Sequence, residues 1–187
     1  LIFCPEVVPA ISTAVRKLTS VAEKIVLLTP VYNILFNSIV NNGRNVVECP
    51  LTYDGESYGV DFEKLERVIA DPQTTMLIFC NPHNPTGRVW EPEEIQKAME
   101  VYKENDCIVI ADEIWSDLIL EGYHHTPVQS VSEDAKNRTI ALYAPSKTFN
   151  LAGLIGSYHI IYHPYLRDRV LASSSKCHYN SMNVLSM

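Results

Sequence analysis

Thr139-Ile140-Ala141-Leu142-Tyr143-Ala144-Pro145-Ser146-Lys147-Thr148-Phe149-Asn150 runs from an apolar stretch of strand length straight into a short polar turn that carries a lysine. Leu151, Ala152, Gly153 and Leu154 follow, so the lysine is embedded in apolar sequence on both sides. A buried ammonium is costly unless something exploits it. A desolvated lysine has a lowered pKa, and its free amine adds to a carbonyl to form a Schiff base. On environment alone, a solvated loop lysine is the commoner reading of such a stretch.

The same apolar pattern recurs upstream and downstream. Lys24 to Thr29, Asn45 to Cys49, Thr75 to Cys80, Cys107 to Ala111 and Tyr158 to Tyr162 all read as strands. Helical spacing separates them. Val7 through Lys17 has apolar residues at 7, 8, 11 and 15 with Pro9 near its start, and Tyr32 to Asn41 is closed by Asn42-Gly43. Asp61 caps a helix whose apolar face is Phe62, Leu65, Val68 and Ile69, with Glu63 four before Arg67. Pro92 opens another, carrying Ile95, Ala98, Met99 and Tyr102. Strands that are apolar throughout and alternate with helices predict a three-layer α/β/α domain around a mainly parallel sheet. Ligands bind beyond the carboxyl ends of such strands. That is where Asn81 to Gly87, Asp112 and Ser146-Lys147 fall.

Composition narrows the function. The chain of 187 residues suffices for one packed domain, and 47% hydrophobic with 20% charged residues is ordinary for a globular protein. A net charge of -7 without a basic cluster argues against nucleic acid as a partner. No apolar run reaches membrane-spanning length and no signal-peptide pattern is present, so a cytoplasmic protein is expected. Cys4, Cys49, Cys80, Cys107 and Cys177 are scattered and form no C-x-x-C pair, so buried free thiols are expected rather than a zinc site or disulfide framework. The first residue is Leu1 and the last stretch, Asn183 to Met187, has no polar tail, which reads as a piece of a longer protein.

Three features fall in order: Asn81-Pro82-His83-Asn84-Pro85-Thr86-Gly87, then Ala111-Asp112-Glu113-Ile114-Trp115, then Ser146-Lys147. Separately each has a bland explanation, as turn, cap or solvated lysine. Together, and with the closing string His178 to Met187, they resemble the fold-type-I pyridoxal-phosphate enzymes of the class I/II aminotransferase superfamily. The longer strings look most like its cystathionine β-lyase-like branch, the carbon–sulfur lyases. The resemblance runs over essentially the whole chain and implies the large, cofactor-binding domain (residues 1–187), with an N-terminal segment and a small C-terminal domain absent.

The resemblance implies pyridoxal 5'-phosphate as cofactor, which acts as an electron sink for a carbanion at the α-carbon of an amino acid. Lys147 would bond the cofactor's aldehyde and, once displaced by substrate, remove the α-proton as general base. Asp112 would pair with the pyridine nitrogen, its ionised form favoured by that cation. Asn84 would donate to the phenolic oxygen, Tyr32 would stack on the ring and Ile114 would pack against the opposite face. The phosphate would lie at the start of the first helix near Val7 and Val8, with the Ser146 hydroxyl beside it. Four positions depart from the family pattern: Glu6 for a glycine, Trp115 for a tyrosine, Ala144 for a phosphate-binding serine, and Ile155 for an arginine. No metal is expected; His124-His125 lies in a loop without a third ligand.

The function implied is carbon–sulfur β-elimination on cystathionine or a cysteine conjugate. A class I/II aminotransferase is the alternative within the fold, and a regulatory binding protein the alternative outside catalysis. A homodimer is implied, a small amino acid is the expected substrate, and the isolated segment is expected to turn over little.

Overall fold

Val26, Leu28, Leu77, Phe79, Val109 and Ala111 face one side of the central sheet, while Ile25, Leu27, Met76, Ile78 and Ile110 face the other, and both sets are buried. Alternate residues therefore enter two different cores, which is why these strands are apolar without interruption. The structure, a computed structural model, describes residues 1–177, with side chains described through residue 173.

In chain order the elements are β1 (Ile2–Cys4), α1 (Val7–Leu18), β2 (Lys24–Thr29), α2 (Asn33–Val40), β3 (Asn45–Pro50), β4 (Thr52–Tyr53), β5 (Tyr58–Gly59), α3 (Phe62–Ile69) and β6 (Thr74–Cys80). Then come α4 (Pro92–Glu104), β7 (Ile108–Asp112), α5 (Glu133–Arg138), β8 (Thr139–Tyr143), α6 (Pro145–Thr148), β9 (Ser157–Ile161) and α7 (Pro164–Cys177). Seven strands form one sheet in the order β1-β9-β8-β7-β6-β2-β3. The pairs from β3 through β8 are parallel, whereas β9 is antiparallel to both β8 and β1. Helices α1, α2 and α7 cover one face; α3, α4 and α5 cover the other. The three-layer α/β expectation holds.

Local chemistry starts and stops the helices. The Asp61 carboxylate accepts from the Lys64 N–H at 3.0 Å. Glu91 and Glu94 form a reciprocal capping box at the start of α4, directly ahead of Pro92. Glu94 also takes Arg88 Nη2 at 2.6 Å, so the loop before α4 is tied to its first turn.

Several elements escaped the sequence reading. Strand β1 has three residues, too few to show a period, and is defined by its pairing to β9. The β4–β5 pair is a two-residue ladder, and α5 has six residues. The turn expected at Ser146-Lys147 is a single helical turn, α6, with Pro145 at its start. Helix α2 begins one residue later than the spacing suggests, because Tyr32 is its N-cap at φ -53°, ψ 124°. Cys4, Cys49, Cys80 and Cys107 are free and buried, as expected; the Cys177 side chain lies outside the described side chains. The closing string His178 to Met187 lies outside the described residues. No helix among the described residues is long and apolar enough to cross a membrane.

Candidate active site

The parallel strands deliver their carboxyl ends to one edge of the sheet, and the loops there are braced by the backbone. After β6, the Asn81 N–H donates to the Asp112 carbonyl at 2.9 Å and the His83 N–H to Arg88 at 2.8 Å. Gly87 turns the loop at φ +75°, a conformation that suits glycine, and its N–H donates to the His83 carbonyl at 2.7 Å. Cys80, whose thiol burial pushes upward, donates to the Pro82 carbonyl at 3.2 Å and accepts from the Asn84 N–H at 3.4 Å. His83 reaches the Pro30 carbonyl at 2.8 Å, and the Tyr32 N–H meets the Asn84 carbonyl at 3.0 Å. The loops after β2 and β6 are thus fastened together, which sets Tyr32 against Asn84.

Asp112 closes β7 and is buried, with the Ile114 N–H its hydrogen-bond donor at a long 3.5 Å. Burial raises its pKa to about 6 from 3.8; the Ile114 N–H opposes that, Glu113 adds to it and Lys147 opposes it. A nearby cation or a stronger donor would favour the ionised form of a carboxylate held this way. Lys147 sits in α6, anchored from behind by Thr148, whose hydroxyl donates to Asp117 at 2.8 Å.

All eight residues singled out in the sequence line one cavity of about 330 Å³: Val7, Val8, Tyr32, Asn84, Asp112, Ile114, Ser146 and Lys147. Glu6, Cys80, Trp115, Ala144 and Ile155 share its wall, so every departure from the family pattern is also at the site. Two larger cavities flank it. One of about 510 Å³ shares Asn84 and Trp115, and one of about 760 Å³ shares Ala144 and Gly156.

Lys147 takes the solvated environment that is the commoner one for such a stretch. Its side chain is exposed at the cavity mouth, not desolvated in a core. The apolar residues around it in sequence do not enclose it: Phe149 is 67% exposed, and Leu151 and Ile155 are exposed as well. A helix of one turn presents the lysine to the cleft, and its ammonium lies 5.3 Å from the centroid of the Trp115 ring. In the His124-His125 loop, His125 Nε2 lies 2.7 Å from the Glu113 carboxylate. Glu113 itself, fully buried beside Asp112, was missed, because nothing in its local sequence separates it from the many acidic residues that end strands. Ile155 holds φ +51°, a left-handed conformation rare for a β-branched residue, within the cavity wall.

Fold and site define a doubly covered α/β domain in which a lysine and a buried aspartate share one cleft beyond the strand ends. The chain belongs to the aminotransferase class I and II family, whose model matches residues 1–179. It is 40% identical to cystathionine β-lyase PatB of Bacillus subtilis over 99% of this chain and 48% of that protein. Cystalysin of Treponema denticola, whose crystal structure contains pyridoxal 5'-phosphate, superposes with a TM-score of 0.95 at 40% identity, covering 98% of this chain and 47% of cystalysin. A pyridoxal-phosphate-bound putative aminotransferase from Clostridium difficile also gives 0.95, at 34% identity over 99% of this chain and 48% of that one. The chain spans about half the length of these relatives.

Proposed function

We propose that this chain is the large domain of a pyridoxal 5'-phosphate-dependent carbon–sulfur β-lyase, acting on cystathionine or a cysteine S-conjugate to release a thiol, pyruvate and ammonia. The observation that carries the reading is the convergence of Lys147, Asp112, Asn84 and Tyr32 on one cavity. The likeness to PatB and cystalysin supports carbon–sulfur cleavage in particular.

The residues fit the cofactor. Asp112 is a buried carboxylate with one long donor and a raised pKa, which suits a protonated ring nitrogen as the missing cation. The first turn of α1, at Val7 and Val8, offers backbone N–H groups to an anion, and Ser146 lies on the same wall. When bound, pyridoxal phosphate supplies a sink for the electrons left at the substrate α-carbon. Tyr32 and Ile114 would hold the ring, and Asn84 would donate to its phenolic oxygen. Lys147 would hold the cofactor through its amine and would take the α-proton on its Nζ; its place at the cavity mouth leaves that amine free to swing toward substrate. Glu6 lines the same cavity near the α1 N-terminus and caps nothing with its side chain, so it weakens anion binding there.

The longer protein supplies an N-terminal segment and a small C-terminal domain, and it works in the cytoplasm as a homodimer. Phe3, Phe149 and Leu151, 51%, 67% and 37% exposed, border the 760 Å³ cavity and favour a second copy as cover. The isolated segment turns over little or nothing. The test is to give the full-length protein cystathionine without any keto acid and assay pyruvate. Pyruvate release supports the lyase; strict dependence on a keto acid replaces it with the aminotransferase reading, which the likeness to the Clostridium difficile protein favours.

A further inference from the structure

We propose that Glu113 is a positioning residue whose buried carboxylate fastens the end of β7 to the end of β8 and so fixes Asp112 relative to Lys147. This deepens the reading above and rests on it. Glu113 is fully buried, and its two oxygens receive three donors, two from the loop at residues 125–128 and one from β8. Oε2 takes His125 Nε2–H at 2.7 Å and the Tyr143 hydroxyl at 2.8 Å; Oε1 takes the Val128 N–H at 3.0 Å. Its own N–H donates to the Leu142 carbonyl at 3.0 Å, and Leu142 is the register partner of Asp112.

Each contact leads to the cleft. Asp112 is the residue before Glu113, and Tyr143 stands four before Lys147. His125 and Val128 fix the loop that returns from Trp115. Asn81, which opens the other site loop, joins the same wall, its side-chain amide donating to the Thr126 carbonyl at 2.9 Å. The titratable groups facing the Glu113 carboxylate are His125 from the loop, Tyr143 from β8 with Tyr158 of β9 stacked on it at 5.5 Å, and Asp112 from its own strand. Burial and Glu113 together push the Tyr143 phenol up, which keeps it a donor. Stability alone is a weak reason to bury a carboxylate here, since apolar replacements of buried ionic groups are often neutral or stabilising. A group that must hold three segments at a set spacing has a reason to be charged and to have this reach.

The experiment compares wild type, Glu113→Gln, Tyr143→Phe and the double variant in the full-length protein. Glutamine keeps the size; the Tyr143 hydroxyl can turn and His125 can carry its proton on Nδ1, so both accept from the new amide and the variant folds. In the cofactor-free protein, backbone amide exchange over residues 112–118 and 142–148 is expected to quicken together by about tenfold. In the loaded protein kcat is expected to fall about tenfold or more with KM within about twofold, and the double variant to fall no further than Glu113→Gln alone. The proposal is overturned if exchange in both segments is unchanged, if kcat stays within about twofold of wild type, or if its loss only tracks the unfolded fraction. Should wild type itself form no borohydride-trapped adduct at Lys147, the cofactor reading fails, and the exchange measurement alone decides the role of Glu113.

Discussion

The backbone N–H of Tyr32 donates to the carbonyl of Asn84 at 3.0 Å, joining the N-cap of α2 to the loop that follows β6. A second bond reinforces it from beneath, His83 Nε2 to the Pro30 carbonyl at 2.8 Å. A carbonyl only accepts, so the imidazole holds its proton on Nε2. The spacing between the proposed stacking ring and the proposed phenol donor is therefore built into the scaffold before any cofactor arrives.

Breaking that brace is expected to cost both stability and binding. His83→Ala removes a buried ring that also meets Trp90 edge-on at 5.6 Å, and leaves the Pro30 carbonyl without this donor. The expected loss is about 2–4 kcal/mol in urea unfolding with an unchanged m-value. Cofactor affinity falls as well, since Tyr32 and Asn84 are no longer held in register. Affinity equal to wild type in a destabilised variant would show that the brace does not reach the site.

Lys147→Ala separates chemistry from folding. The side chain is exposed and its ammonium meets a ring face at 5.3 Å, so stability should change by no more than about 1 kcal/mol. Turnover should fall by about a thousandfold or more, because the proposed nucleophile and general base are lost together. The mass of a borohydride-trapped adduct at this lysine should vanish in the same variant. Turnover within tenfold of wild type, about 1.4 kcal/mol in barrier, would remove Lys147 from the reaction.

Two buried groups pull the acid stability in opposite directions. Burial raises Asp112 from 3.8 to about 6, so between those values the folded protein binds the extra proton and stability falls as pH rises. Among the described residues His159 on β9 has no hydrogen-bond partner for either ring nitrogen, and burial lowers it from 6.5 to about 4. In that window the unfolded chain binds the extra proton, and stability rises with pH. Each effect is on the order of 3 kcal/mol across its window. Asp112→Asn should therefore stabilise the cofactor-free protein at pH 7 and steepen its loss toward pH 4. His159→Leu should do the reverse to the slope, with its largest gain near pH 4. Thermal melts of the cofactor-free protein at pH 4, 5, 6 and 7 read both slopes; parallel curves for all three proteins would contradict these assignments.

Most of the sheet was legible because its strands are buried on both faces, and their apolar runs end where β2, β6, β7 and β8 end. The site was legible in residue types at strand ends joined by a family resemblance, and all eight residues meet in one cavity. Lys147 follows the solvated reading and not the desolvated one, because apolar neighbours in sequence are not apolar neighbours in space: Phe149 points outward from a helix of one turn. Glu113 and Cys80 were invisible for the complementary reason. Their partners, His125, Tyr143 and Asn84, are set by how the loops return, which no local pattern encodes.

Ile155 offers the sharpest check on where the cofactor's phosphate lies. It adopts φ +51°, ψ 77° in the wall that also contains Val7, Val8 and Glu6. A β-branched residue there stores about 1–2 kcal/mol of backbone strain, so Ile155→Gly should stabilise the protein by about 1 kcal/mol after glycine's own entropy is counted. Ile155→Arg introduces the residue type that the family resemblance implies at this position and places a guanidinium in the cavity wall shared with Val7 and Val8. A charge-assisted bond to phosphate is expected to tighten cofactor binding by about tenfold or more. Glu6→Gln should tighten it too, by removing a like charge from the same cavity. If the new arginine instead pairs with Glu6, the gain from Ile155→Arg appears only when Glu6 is also replaced. Fluorescence titration of the four proteins with pyridoxal phosphate distinguishes these cases, and no gain in any variant would place the phosphate elsewhere.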